Sequence, residues 1–247
     1  MDKRQKPEEI FSEIIEDYKK IYGDDLISII LYGSGAGNDY NPGKSDVNFL
    51  MILSEAAIDQ LDRAIKTVSK WKKKKVATPL IMTKTYINSS LDAYPLEFLN
   101  MKQNHILVFG EDVLKNISFE AQHLRLQCER EIKGKLLLLR EGFLETNEKE
   151  KKIKELIKAS ITAFLSIFNG ILYLKNVTGP SNRREIIQSV AKEIPIDQEI
   201  FIKCLNIKEG KGKVPSSEIK EIFNAYLIEA RKLWEFVDKM EIKNKEM

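Results

Sequence analysis

Apolar positions in the first half of the chain switch repeatedly between helical and strand spacing. Ile10, Ile14, Tyr18 and Ile21 form a stripe, so residues 7–22 predict an amphipathic helix. Pro7 suits its first position and Gly23 its end. The β-branched run at 26–32 and the apolar run at 46–53 predict two strands. Ile58, Leu61, Ile65 and Val68 then mark a helix that ends near Trp71. Residues 76–82 predict a third strand and 95–101 a fourth, with a short apolar piece at 106–109 before Gly110. These elements describe a small mixed sheet with helices against it.

The second half carries only helical spacing. Leu124, Cys128, Ile132, Leu136, Leu139 and Phe143 predict one long helix. Residues 153–174 are more broadly apolar and predict the most buried helix of a bundle. The segment 177–182 breaks the pattern and offers Ser181 or Asn182 as a cap. Two shorter helices, a Gly/Lys/Pro loop at 209–215 and a last helix from near Ser216 follow. The fold class expected is therefore α+β, with a mixed sheet and flanking helices at 1–115 and an all-helical bundle at 116–247.

Between the first two strands lies the segment LYGSGAGNDYNPGKSDVNFLMIL. Residues two apart on a strand share a face, so Asp46 and Asn48 point together toward the Gly33-Ser34 turn. A magnesium-bound triphosphate needs this layout, with a backbone cradle for phosphate and strand-borne oxygens for the metal. Gly33, Gly35 and Gly37 alone would be a flexible connector. The acidic strand start that follows makes the turn a candidate phosphate site, with Ser34 adding its hydroxyl.

Gly33-Ser34, a gap of eleven residues and Asp46-Val47-Asn48 resemble the signature of the polymerase-beta-like nucleotidyltransferase superfamily, which includes the kanamycin and aminoglycoside nucleotidyltransferases. That signature has a second carboxylate where this chain has Asn48. The resemblance covers residues 26–53 and extends to about 115. It implies a nucleotidyltransferase-like sheet domain with a helical partner domain, Mg²⁺ or Mn²⁺ held by Asp46, and an NTP as substrate. Asn48 supplies one neutral oxygen to such a metal and no second negative charge. The resemblance also implies a third carboxylate as base for an acceptor hydroxyl on a small molecule or protein. Glu97 is the candidate, since an acidic residue in an apolar run is costly unless paired or functional; Asp92 stands behind it. Lys44, and Lys84 behind it, are candidate phosphate contacts, although the ordinary reading of each is a surface lysine.

Composition narrows the field without choosing. Forty basic against 37 acidic residues give a net charge of +3, which does not call for nucleic acid. Lys72 to Lys75 read as a solvated helix end. His105 and His123 lie 18 residues apart, so a His-based metal site or triad has no support. Cys128 and Cys204 lack metal spacing and fit buried thiols in a reducing compartment. No signal segment opens the chain and no run is expected to reach membrane-spanning length, so a cytoplasmic protein without membrane partners is expected. A homodimer is left open. So is the alternative function, a catalytically degenerate relative acting as a nucleotide-binding or protein-interaction module.

Overall fold

The computed structural model describes residues 6–37, 40–42, 45–178, 180, 182–212 and 214–242. The chain divides into two compact units, Met1–Asp92 with Glu97–Phe119, and Ala93–Leu96 with Glu120–Met247.

In the first unit, helix α1 (Phe11–Tyr22) precedes β1 (Leu26–Tyr32) and β2 (Asn48–Leu53). Helix α2 (Ile65–Lys72), β3 (Leu80–Met82), helices α3 (Lys84–Ser89) and α4 (Pro95–Gln103), and β4 (His105–Gly110) follow. The sheet order is β3-β2-β1-β4. Strand β1 runs antiparallel to both of its neighbours, whereas β3 is parallel to β2. Alternation along the strands then sorts the side chains. Ile29, Leu31, Phe49, Met51 and Leu53 share one core with Ile14, Tyr18 and Tyr22 of α1. Trp71 joins α2 to the same core and donates its indole N–H to Asp17 of α1 at 2.9 Å.

Three expectations for this unit need correction. Residues 95–101 are not a strand but the body of α4. The run PLEFLNMKQ opens on proline and holds Leu, Glu, Met, Lys and Gln, good helix formers, with no β-branched residue to favour a strand. Strand β3 shortens to three residues because Pro79 donates no hydrogen bond. The helix expected over 58–71 begins as a 3₁₀ turn at Leu61–Ala64 and becomes α-helical only at Ile65.

The second unit is helical, and no strand occurs among its described residues. It comprises α5 (Ala121–Thr146), α6 (Glu150–Leu174), α7 (Arg183–Glu193), α8 (Gln198–Glu209) and α9 (Ile219–Asp238). Asn182 caps α7 by accepting the Arg184 and Glu185 N–H groups, each at 3.1 Å. Helix α6 is the hub. Its Phe164 and Phe168 meet Phe201 of α8, and Phe164 and Phe201 both meet Tyr226 of α9, with ring centroids 5.0–6.1 Å apart. Such aromatic pairs add to the energy of their burial. Contrary to the expectation from sequence, α6 is long and apolar enough to cross a membrane by length and composition; half of that apolar window is buried in the fold.

Candidate nucleotide site

Strand β1 ends at Tyr32, and the chain turns at once through a short 3₁₀ segment, Gly33–Ala36. Gly33 has φ of 75°, a left-handed conformation that suits glycine. Its N–H donates to the Asn104 carbonyl at 3.1 Å, which ties the turn to the corner between α4 and β4. The next amide, of Ser34, is a first-turn N–H group with no acceptor inside the segment, whereas the i→i+3 pattern that defines the segment gives the Gly35 N–H to the Tyr32 carbonyl. The segment closes with the Gly37 N–H on the Ser34 carbonyl at 3.4 Å. The geometry is therefore that of a turn with its first amide anchored and the second, of Ser34, left without an acceptor in the turn, beside the half-buried Ser34 hydroxyl.

Asp46 and Asn48 enter from the other strand. The loop before Asp46 is closed by the Ser45 N–H on the Asn41 carbonyl at 2.9 Å and by the Asn41 N–H on Ser45 Oγ at 3.1 Å. Val47 is held on the far side, its N–H on the Lys75 carbonyl at 3.4 Å and its carbonyl on the Ala77 N–H at 3.0 Å. Val47 is buried, so Asp46 and Asn48 on either side of it turn to the opposite face. The Asn48 amide nitrogen lies 3.9 Å from where a side chain on Gly33 would begin. Asp46 is exposed and makes no hydrogen bond or ion pair with any described residue.

This donor set fits a metal that arrives on a triphosphate. Mg²⁺ is commonly held by one or two carboxylates together with substrate phosphates and water. Asp46 supplies one carboxylate and Asn48 one amide oxygen. Among the described residues no group of three or more His, Cys, Asp or Glu side chains could form a self-sufficient metal site.

The same face carries a feature that sequence reading dismissed. Tyr32 is the register partner of Asn48 on one side and of His105 on the other, so the three form one row across β2, β1 and β4. His105 places Nδ1 2.9 Å from the Lys102 carbonyl and Nε2 3.1 Å and 3.2 Å from the two Asp112 carboxylate oxygens. Asp112 also accepts the Leu114 and Lys115 N–H groups at 3.2 Å and 3.1 Å. The pair is largely covered, His105 retaining 14% and Asp112 25% of side-chain exposure. It pins the corner whose Asn104 carbonyl holds Gly33. Burial pushes the Tyr32 phenol up, which keeps it neutral.

The remaining candidates are scattered. Glu97 is exposed in the first turn of α4 rather than on a strand, so the strand-order reason for placing it beside Asp46 is gone. Asp92 is exposed before that helix. Lys84 forms an ion pair with Glu111, and Lys44 lies outside the described residues. In the lysine run, Lys74 pairs with Glu13 of α1 at 2.7 Å.

No protein-family model matches the chain, and no curated protein matches it. Several solved structures are similar. One of them is spectinomycin adenyltransferase AAD(9) from Enterococcus faecialis, determined with ATP and spectinomycin. The likeness covers 90% of this chain and 98% of that one, at 14% identity and a TM-score of 0.47. Functional assignment therefore rests on the motif and the geometry above.

Asn104, His105 and Asp112 were missed because nothing local marks them. His105 and Asp112 stand seven residues apart across a strand end, a spacing without a known metal or triad pattern. The Asn104 contact with Gly33 spans 71 residues and exists only once β4 has docked beside β1.

Proposed function

We propose that the chain is a nucleotidyltransferase that moves a nucleoside monophosphate from an NTP to a hydroxyl acceptor, using its first unit. The observation that carries this reading is the anchored Gly33-Ser34 turn lying against Asn48, with the Asp46 carboxylate, which pairs with no described residue, just before β2 on the same side as Asn48. Phosphate oxygens would take the Ser34 amide and hydroxyl. Mg²⁺ or Mn²⁺, brought by the NTP, would be held by Asp46 and Asn48 and would offset the charge of the phosphates. The acceptor oxygen would bond to the α-phosphorus as the bond to pyrophosphate breaks, and the hydroxyl proton would pass to a base. Glu97 would be that base on the family resemblance alone. It stands two helical turns, about 10 Å, before Asn104, which holds the turn.

Thermal melting with each of the four NTPs, in Mg²⁺ and in EDTA, tests the reading. A nucleotide at about a hundred times its Kd stabilises the fold by about 2.7 kcal/mol, a rise of about 5–10 °C for a chain of this size. The rise should need the metal and should vanish in Asp46→Asn. No rise with any NTP would refute nucleotide binding. Metal-dependent binding without pyrophosphate release across a panel of hydroxyl-bearing acceptors would instead favour a binding module, as the neutral Asn48 suits.

A further inference from the structure

Helix α5 carries a row of exposed leucines that no described residue of its own unit covers. Leu124, Cys128, Ile132, Leu136 and Leu139 are buried, while Leu126, Leu137, Leu138 and Leu144 are 55%, 64%, 57% and 77% exposed. At 100° per residue, Leu126, Leu137 and Leu144 fall within about 20° of one line, opposite the buried stripe. Arg130, Gly134 and Glu141 lie on the same side. Arg130 and Glu141 have no hydrogen bond or ion pair with any described residue, whereas neighbouring Lys133 and Glu129 are paired with each other.

Gly134 is the second, independent sign. Among the described residues α5 and α6 hold three glycines, and two have a steric reason in the chain. A side chain on Gly142 would come within 2.9 Å of Leu156, and one on Gly170 within 2.6 Å of Cys128. One on Gly134 would meet nothing within 4 Å. Glycine inside a helix costs about 1 kcal/mol relative to alanine, and no neighbour within this chain accounts for it at Gly134. A second helix approaching closely does.

We propose that this face is a homodimer interface in which two copies pack their α5 helices antiparallel about a two-fold axis level with Lys135 and Leu136. A two-fold interface must be self-complementary, residue i meeting j while j meets i. The midpoint between Arg130 and Glu141 is also the midpoint between Gly134 and Leu137. One axis therefore sets each Arg130 against the other copy's Glu141 and each Leu137 over the other copy's Gly134. Opposite charges and a side chain over a gap are matched by the same register. The 26-residue helix is about 39 Å long and 10–12 Å wide, so each copy would contribute a patch on the order of 400 Å². Two such patches bury about 800 Å² together, below the roughly 1,200 Å² of standard specific interfaces, so the dimer would be weak and concentration-dependent.

Sedimentation velocity of the full chain over a concentration series tests the proposal. Wild type should pass from monomer to dimer. Arg130→Glu and Glu141→Arg, each of which sets like charges together twice, should weaken the dimer at least about tenfold. The double variant Arg130→Glu/Glu141→Arg restores opposite pairs and should dimerise like wild type. Leu137→Glu should be monomeric. These positions are exposed, and circular dichroism verifies that each variant is folded. A wild type that is monomeric at about 100 µM would overturn the proposal and leave the face to a different protein. Single variants that dimerise undiminished, or a double variant that stays monomeric, would overturn it equally.

Discussion

Replacing glycine by alanine at three helical positions should change stability by amounts that differ in sign, because the same methyl group meets three different surroundings. At Gly134 the methyl meets nothing within 4 Å, so only helix propensity acts, and the gain is about 0.8–1 kcal/mol. At Gly142 the nearest atom, 2.9 Å away, is the tip of the half-buried Leu156 side chain. That tip can swing aside, so the propensity gain and the cost of moving it roughly cancel. At Gly170 the methyl falls 2.6 Å from Cys128 Sγ and 2.8 Å from Leu96 Cδ1. Cys128 is 0% exposed and Leu96 3%, and Leu96 is also held by its N–H on Gln127 Oε1 at 2.7 Å. Overpacking a site of this kind costs about 1–3 kcal/mol; with the propensity gain subtracted, the net loss is about 0–2 kcal/mol. For a chain of this length each kcal/mol moves the melting temperature by about 2–4 °C. Gly134→Ala should therefore melt higher than wild type, Gly142→Ala within a degree or so of it, and Gly170→Ala below Gly134→Ala and lower than wild type by up to about 8 °C. Urea titration and thermal melting at a concentration where the protein is monomeric measure this without interference from association. If Gly170→Ala stabilised the chain as much as Gly134→Ala does, the packing account of Gly170 would be wrong.

Asn48→Asp should tighten Mg²⁺-dependent NTP binding about tenfold and leave binding in EDTA unimproved, since two carboxylates then face each other without a cation; equal calorimetric affinities with Mg²⁺ would exclude Asn48 from the metal's surroundings. His105→Ala should cost about 1–3 kcal/mol by removing the ring that bridges the Lys102 carbonyl and Asp112, and should raise the hydrogen-exchange rate of the Gly33 amide; an unchanged rate would show that the corner does not hold the turn. Cys128 and Cys204 are both 0% exposed, and burial pushes the Cys204 thiol up, so neither should react with iodoacetamide at pH 8 in the folded chain, while both should react in urea. The Lys74 and Lys70 ammonium groups hold the Glu13 carboxyl below its ordinary 4.5. Its contribution is then complete above the unfolded value and is lost as pH falls through the lowered folded one. Glu13→Gln should accordingly cost less than about 1 kcal/mol at neutral pH, with the difference closing in acid; a difference that grew in acid would reverse the sign of this coupling.

Much of the architecture was legible in local periodicity. The stripe from Ile10 to Ile21, the alternation around Asp46 and Asn48, and the helical spacing that returns in each segment after Ala121 are short-range patterns. Each reports which side of an element faces apolar surroundings, whatever those surroundings are. The paired polar positions on β2 follow from the same rule, since a strand has only two faces. Residues 95–103 defeated it because a short apolar run fits helix or strand equally by period, and only their lack of β-branching points to the helix they form. Tertiary structure decided what no spacing could. The Asn104 carbonyl reaches Gly33, and His105 meets Asp112, because β4 pairs with β1 after the chain has passed through α2, β3, α3 and α4. It also decided which glycine is enclosed and which stands open, since a side chain's room depends on the helix beside it and not on its neighbours in sequence.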